Sequence, residues 1–125
     1  MICKTMSDKS KTIKAESISD FVNQVDWAKV NGLVPVIVQD YLAGRVLMLG
    51  YMNQEALQKT LTERKMTYYS RTRAALWTKG ETSGNFQIVK KIFLDCDNDT
   101  ILIKIKQKGA VCHTGRPTCF YQEIN

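Results

Sequence analysis

The sequence predicts an α+β fold, in which a mainly antiparallel β-sheet and two helices form a single domain. The chain has 125 residues, which is enough for one hydrophobic core of modest size. Two segments have the apolar spacing of amphipathic helices, and several short segments have the composition of strands. No strand–helix–strand alternation runs through the second half of the chain, so a parallel sheet with crossover helices is not expected.

The two helices are predicted from their capping residues and their apolar faces. The first lies within residues 17–30, where Ser17 is the cap and Asp20 its partner three positions on. The second begins after Asn53, whose side chain suits an N-cap. The apolar face of the first helix comprises Ile18, Phe21, Val22 and Val25, and that of the second Ala56, Leu57, Thr60 and Leu61.

Six segments are predicted to be strands, with residues 42–44 as the turn between the first two. In the last of them Ile101, Ile103 and Ile105 alternate with Leu102, Lys104 and Lys106, so one face is expected to be buried and the other largely exposed to solvent. Residues 1–15 are rich in lysine and are predicted to be a flexible arm, followed by one domain over residues 16–125. The predicted strands are Leu33–Gln39, Arg45–Tyr51, Met66–Arg71, Ala75–Thr78, Phe86–Leu94 and Ile101–Lys106.

Composition limits the class of protein and its compartment. The longest apolar run, Leu33–Val38, has six residues, whereas a membrane helix needs about 20, so no membrane span is expected. The first twenty residues contain no apolar stretch typical of a secretion signal, which favours the cytoplasm. The net charge is +6. Together with lysines at 90–91 and within 104–108, this charge leaves nucleic-acid binding open as an alternative function.

Three of the four cysteines, Cys96, Cys112 and Cys119, lie in the last thirty residues. Disulfides are disfavoured in a reducing compartment, so these thiols are either metal ligands or small buried hydrophobic residues. Cys112 and Cys119 are separated by glycine and proline and can fold back around one ion. With Cys96 they would make three zinc ligands and leave one position open, as in catalytic rather than structural zinc sites. A structural site remains the alternative.

His113 is the only histidine in the chain and follows Cys112 directly. Because imidazole titrates near neutrality, it could act as a fourth zinc ligand or as a general acid or base. It is poorly placed to activate its neighbour, because adjacent side chains diverge. A thiol-dependent hydrolase with Cys112 as its nucleophile is nevertheless a further alternative, and it predicts activity that survives chelators.

The segment Asp95–Asp99 carries three aspartates at alternating positions. In an extended chain Asp95, Asp97 and Asp99 would project together, and Cys96 would project the other way. Carboxylate oxygens suit Mg²⁺ or Ca²⁺, and thiolates suit Zn²⁺. The segment is therefore a candidate for binding two different metals on its two sides. A solvated turn is the alternative, since Asp and Asn favour turns.

The segment Trp77–Asn85 is rich in glycine, hydroxyl groups and amide donors, a composition typical of loops that hold phosphate. Lys79 and Ser83 lie within it, and the guanidinium groups of Arg71 and Arg73 precede it. An ordinary surface turn with basic neighbours is the alternative. Trp77 is expected to lie in the core rather than to stack on a ligand.

Taken together, these segments resemble the phosphoribosyl-AMP cyclohydrolase family of histidine biosynthesis. They follow in the family's order over roughly residues 30–122. One departure is Lys108–Val111, where the family usually has a proline before its first cysteine of this motif. The segments that carry the resemblance are Val34–Asp40, Val46–Leu57, Tyr69–Arg73, Leu76–Asn85, Asp95–Asp99 and Cys112–Tyr121.

The resemblance implies hydrolysis of the N1–C6 bond in the adenine ring of phosphoribosyl-AMP, which opens to a formimino carboxamide ribotide. It also implies an intertwined homodimer with zinc ligands from both subunits, and a zinc-activated water with Mg²⁺ assistance. The zinc ligands would be Cys96, Cys112 and Cys119, and the magnesium ligands Asp95, Asp97 and Asp99. His113 would move a proton, and Arg71, Arg73, Lys79, Ser83 and Arg116 would bind the substrate. The pyrophosphohydrolase domain of some family members is not expected here.

Overall fold

The computed structural model describes residues 18–112 and 114–125. The arm predicted for residues 1–15, the cap predicted at Ser17, and His113 lie outside the described residues. Within those ranges the structure confirms an α+β fold with two helices and mostly antiparallel strands. Neither of these helices has the length and apolar character that a membrane crossing requires.

Helix α1 comprises Ile18–Gln24, so it ends earlier than the helix that was predicted within residues 17–30. The reason is tertiary. The backbone N–H of Asp26 donates to the carbonyl of Asn98 at 2.8 Å instead of to a carbonyl of its own helix. The indole N–H of Trp27 donates to the carbonyl of Val22 at 2.9 Å. These two bonds satisfy groups that would otherwise continue the helical ladder.

Helix α2 comprises Gln54–Glu63 and confirms the predicted cap. The side chain of Asn53 accepts a hydrogen bond from the backbone N–H of Ala56 at 2.8 Å. The helix ends at Arg64, which has a positive φ of 61° and donates its N–H to the carbonyl of Thr60. Its predicted apolar face, Ala56, Leu57, Thr60 and Leu61, is buried.

Four strands form the main sheet and two form a separate hairpin. The sheet contains β1 (Val34–Asp40), β2 (Val46–Met52), β5 (Gln87–Leu94) and β6 (Ile101–Gln107), in the order β2-β1-β6-β5. Strands β1 and β6 are parallel, and the other pairs are antiparallel. The hairpin pairs β3 (Thr67–Ser70) with β4 (Ala75–Thr78). Each predicted strand therefore exists, with ends that differ by at most one residue.

The core lies between one face of the sheet and the helices. The alternation predicted for β6 is confirmed, since Ile101, Ile103 and Ile105 are fully buried. They pack in one cluster with alternating valines of β1 and with residues of both helices. The opposite face carries an apolar row that crosses all four strands, with neighbours paired in register. This row, called the outer row below, consists of Leu49, Ile37, Leu102 and Phe93.

Candidate active site

Two sequence motifs that are distant along the chain form the walls of one open cavity of about 350 Å³. One wall is the loop between β4 and β5, called the donor loop below, over residues 79–86. The other is the segment over residues 108–119 that follows β6, called the thiol loop. The lining residues are Trp77, Lys79, Gly80, Glu81, Thr82, Ser83, Asn85, Ala110, Cys112 and Gly115. The predicted phosphate-binding residues Lys79 and Ser83 therefore lie in the same cavity as the predicted zinc ligand Cys112.

The donor loop turns back on itself through glycine. Gly80 has a φ of +90°, and a Cβ there would lie 2.5 Å from the backbone nitrogen of Phe86, so a side chain does not fit. The N–H of Gly84 donates to the carbonyl of Gly80 at 2.7 Å, and Ser83 Oγ accepts from the N–H of Asn85 at 3.1 Å. These contacts hold the loop in a tight coil with Lys79 at its start.

The core position expected for Trp77 is wrong, because its side chain is 39% exposed and lines the cavity. Trp77 pairs across the hairpin with Tyr68, which takes the buried place. The two ring centroids are 5.7 Å apart, and the Lys79 ammonium lies 5.7 Å from the Trp77 centroid. The indole therefore offers the cavity a partly apolar wall beside a cation.

The thiol loop brings Cys112 and Cys119 together, so that their side chains interact directly. It is a tight turn, in which the N–H of Gly115 donates to the carbonyl of Cys112 at 2.8 Å. The backbone N–H of Cys119 donates to the carbonyl of Leu47 at 2.8 Å, which fixes the second cysteine against β2. Backbone hydrogen bonds therefore hold the segments that carry both thiols.

The two thiols differ in their pKa. The Thr114 hydroxyl donates to Cys112 Sγ at 3.1 Å and is the main reason why the pKa of Cys112 is lowered. Partial burial, with the neighbouring Cys112 as a further cause, raises the pKa of Cys119. The Lys79 ammonium lowers the pKa of both thiols. Cys112 is therefore the first of the pair to become a thiolate as the pH rises.

We expect Cys112 to react with iodoacetamide faster than Cys119 in metal-free protein near about pH 7.5, because more of it is thiolate. Exposure of the whole residue predicts the reverse order, since Cys119 is exposed and Cys112 is half-buried, although burial of its sulfur is the main cause of the raised pKa of Cys119. Peptide mass spectrometry after brief labelling measures the two rates. The difference should shrink as the pH rises above the pKa of both thiols, and Thr114→Val should reduce it by removing the hydroxyl. Faster labelling of Cys119 at neutral pH would contradict this order.

Cys96 and the three aspartates lie at the other end of the β5–β6 hairpin. At the cavity end Gln87 pairs with Gln107, and at the turn end Leu94 pairs with Ile101. The two ends are six residue steps apart along β6, from Ile101 to Gln107, which corresponds to roughly 20 Å at about 3.3 Å per residue. Among the described residues, Cys96 accordingly does not group with Cys112 and Cys119 within one chain.

The turn brings Asp95, Asp97 and Asp99 together, with ligand oxygens within 4.8 Å of one another. They converge through a tight turn rather than the extended chain expected from the sequence, because Asn98 has a positive φ of 61°. Asp95 Oδ1 accepts from the backbone N–H groups of Asp99 and Thr100, at 3.0 and 3.2 Å. The donor set, three carboxylates, suits a hard divalent cation.

A lysine from the segment after α1 already contacts this aspartate cluster. Lys29 Nζ lies 3.0 Å from Asp97 Oδ2 and 3.1 Å from Asp99 Oδ2. The ammonium lowers the pKa of Asp99, and the two carboxylates raise the pKa of Lys29. Burial raises the pKa of Asp95, with Asp99 as a further cause. Sequence reasoning missed Lys29, because nothing local connects it to a turn 68 residues away.

The three arginines predicted to bind substrate are not among the lining residues of the cavity. The Arg71 guanidinium lies 4.4 Å from the ring centroid of Tyr51, and that of Arg116 lies 4.2 Å from Tyr121. Arg73 belongs to the β3–β4 turn, where its N–H donates to Ser70 Oγ at 3.2 Å. Sequence reasoning missed Asn85 and Glu81 as lining residues, although both lie within the segment that it singled out.

Comparisons with known proteins place the motifs of this site within one family. The family model described as phosphoribosyl-AMP cyclohydrolase matches residues 48–121, a range that includes both walls of the cavity and the aspartate turn. A phosphoribosyl-AMP cyclohydrolase of Clostridium beijerinckii is 59% identical over 103 residues, which cover 82% of this chain and 94% of that protein. A second, from Clostridium botulinum, is 53% identical over 108 residues, covering 86% and 99%.

Longer relatives match over only part of their length. The histidine biosynthesis bifunctional protein HisIE of Haemophilus influenzae is 59% identical over 101 residues, which cover 81% of this chain and 46% of that protein. The chain thus spans about half the length of the bifunctional relatives that it matches and nearly all of the clostridial ones. The family match and these identities together show that the chain belongs to the phosphoribosyl-AMP cyclohydrolase family.

Proposed function

We propose that this protein hydrolyses the N1–C6 bond in the adenine ring of phosphoribosyl-AMP, a step of L-histidine biosynthesis. The clostridial relatives are named for this activity, and the match covers nearly their whole length. The observation that carries the proposal is the cavity, which combines phosphate-type donors and an aromatic wall with the thiol of Cys112, and this thiol in turn interacts with that of Cys119. These are the groups that a phosphorylated nucleotide and a hydrolytic metal centre require.

The donor loop supplies binding and orientation. The Lys79 ammonium, the Ser83 hydroxyl and the loop N–H groups can hold a phosphate of the substrate, and the face of Trp77 can hold an apolar ring. Arg71, Arg73 and Arg116 are proposed as further substrate contacts. Because they lie outside the lining of the cavity, they would bind parts of the substrate that extend beyond it.

The thiol pair supports a zinc site shared by two subunits. Cys112 and Cys119 interact directly, so one ion can bind both, but zinc requires further ligands. Cys96 lies roughly 20 Å away along a hairpin, so the Cys96 that completes the site would come from a second copy. Zinc held there would supply Lewis-acid activation of the attacking water. Thiolate ligands need reducing conditions, which supports the cytoplasm as the compartment.

The outer row supports the homodimer. Leu49 is 45% exposed and Phe93 is 38% exposed, and the row continues through Ile37 and Leu102 across the whole sheet. Such a continuous apolar row is typical of an interface. If two copies pack these faces together with their strands reversed, the aspartate turn of each copy comes to the end where the other has its cavity. This arrangement supplies each cavity with the partner's Cys96.

Asp95, Asp97 and Asp99 are proposed to hold Mg²⁺. Since Lys29 contacts two of them, the ammonium and the cation compete for the same oxygens. We expect Lys29→Met to raise the affinity for Mg²⁺ by about two- to fivefold, the scale of an exposed ion pair. Isothermal titration calorimetry measures this directly. Lys91→Met makes the same change in net charge on exposed β5 and should leave the affinity unchanged; equal affinities in both variants would rule out the competition.

His113 is proposed to move a proton, either from the attacking water or to the departing ring nitrogen. We expect His113→Ala to retain zinc and to lower kcat by about 10²- to 10⁴-fold, the usual contribution of a general acid or base. Turnover and metal content should be measured on the same sample. An unchanged kcat would exclude the role.

The experiment that tests the proposed function is an optical ring-opening assay with phosphoribosyl-AMP, combined with metal analysis of the same sample. Turnover should require zinc, disappear on chelation and return when zinc is restored. A folded, metal-replete sample without turnover would remove the enzyme proposal. Salt-sensitive binding of oligonucleotides without turnover would instead favour the nucleic-acid-binding alternative.

A further inference from the structure

Three polar side chains form a hydrogen-bonded chain next to the cavity, outside its lining. It starts at Tyr68, which is 2% exposed, and continues through Gln87, which is fully buried. The phenol O–H donates to Gln87 Oε1 at 2.6 Å, and Gln87 Nε2 donates to Gln107 Oε1 at 2.9 Å. The chain connects the β3–β4 hairpin to β5 and then to the end of β6, the point at which the polypeptide enters the thiol loop.

The amide of Gln107 contacts both walls of the cavity. Its Nε2 lies 3.3 Å from the carbonyl oxygen of Asn85 in the donor loop and 3.4 Å from that of Ala110 in the thiol loop. It also lies 3.1 Å from the carbonyl oxygen of Lys108. Asn85 and Ala110 both line the cavity. One side-chain amide therefore joins the backbones of the two walls.

The direction of every bond in this chain is fixed. Backbone carbonyls only accept, so Gln107 must present its NH₂ group to them and its Oε1 to Gln87. Gln87 must then donate from Nε2, which leaves its Oε1 for Tyr68. The phenol must donate, and burial raises the pKa of Tyr68 so that it keeps its proton. Because each amide has one usable orientation, the chain holds Gln107 in a single position.

The two walls also touch beside Gln107. The N–H of Lys108 donates to the carbonyl of Phe86 at 2.9 Å. Gly109 has a φ of +81°, and a Cβ there would collide with the side chain of Asn85. The walls are therefore in close contact at one point, and the amide of Gln107 sits at that point.

We propose that Gln107 is a positioning residue that fixes the spacing between the donor loop and the thiol loop, and so sets how tightly the cavity binds its substrate. This inference rests on the proposed function. Gln107 does not line the cavity itself. It acts through the backbone at Asn85 and Ala110, while Gln87 and Tyr68 act through Gln107.

The test compares Gln107→Met, which keeps the length of the side chain but removes its donor, with the wild type. We expect KM for phosphoribosyl-AMP to rise about tenfold, kcat to change less than about threefold and zinc content to stay the same. Amide hydrogen exchange within residues 79–86 and 108–112 should become faster. The matched control is Gln39→Met, since Gln39 Nε2 donates to the carbonyl of Gly44 at 2.9 Å in the β1–β2 turn. It should change neither KM nor exchange in the two walls.

A double-mutant comparison separates positioning from general stability. Tyr68→Phe removes the first donor of the chain and should raise KM about threefold in the wild type, but not further in Gln107→Met. Independent structural roles would instead give additive effects, and additivity would overturn the proposal. Unchanged KM and unchanged exchange in folded Gln107→Met would also overturn it. If Gln107→Met does not fold, Tyr68→Phe alone must show the rise in KM and the faster exchange.

The exchange measurement does not depend on turnover. A wild-type protein that fails to open the ring would refute the proposed function, and hydrogen exchange in Gln107→Met would still show whether Gln107 joins the two walls. Turnover with normal exchange and normal KM in Gln107→Met would refute the positioning role and leave the proposed function intact.

Discussion

Replacing either Cys112 or Cys119 by serine is expected to remove zinc and to lower turnover by at least about 10³-fold, since the proposed zinc would supply the activation of the attacking water. The thiols interact directly, so loss of one leaves a single ligand from that chain. Metal content and ring opening should be measured on the same sample, with circular dichroism as a check on folding. Cys3→Ser is the matched control, because no ligand role is proposed for Cys3.

The pattern across the two variants separates the alternatives. Stoichiometric zinc in both would show that the ligands are wrongly assigned. If Cys112 were instead the nucleophile of a thiol-dependent hydrolase, Cys112→Ser would lose turnover, Cys119→Ser would keep much of it, and chelators would have no effect. The lowered pKa of Cys112 is compatible with either chemistry, so metal content decides between them.

The parts of the fold that local physics determines could be predicted from the sequence. Alternating isoleucines defined β6, and Asn53 marked the start of α2, because side-chain alternation and helix capping act over a few residues. The end of α1 could not be predicted, since the N–H of Asp26 turns to a carbonyl at Asn98. The parallel pairing of β1 with β6 likewise depends on segments far apart in the chain.

The site, too, has features that neighbouring residues determine and features that depend on distant segments. Each motif indicates a chemistry by its own composition, but composition does not say which motifs meet. The donor loop and the thiol loop share a cavity because Gln87 pairs with Gln107. The aspartate turn lies at the other end of that hairpin. Trp77 was misplaced because hydrophobicity alone cannot tell a residue on a cavity wall from one in the core.

Mixed dimers provide the sharpest test of the proposal that two subunits share a zinc site. Co-expression with two different tags and purification on both gives dimers with one Cys96→Ser chain and one Cys112→Ser chain. If each site combines the thiol pair of one chain with the partner's Cys96, one of the two sites is intact. We then expect about half the wild-type turnover and zinc, although each variant alone is inactive.

A second mixed dimer serves as the control. Combining Cys112→Ser with Cys119→Ser breaks the thiol pair of both chains, so no intact site remains and no turnover is expected. If all ligands came from a single chain, the Cys96→Ser/Cys112→Ser dimer would be equally inactive, because each chain would carry a broken site. The ends of the β5–β6 hairpin lie roughly 20 Å apart, which is why Cys96 and the thiol pair of one chain are not expected to share an ion. Turnover in the Cys96→Ser/Cys112→Ser dimer tests this directly, because two inactive chains can restore activity to one another only if the site spans two subunits.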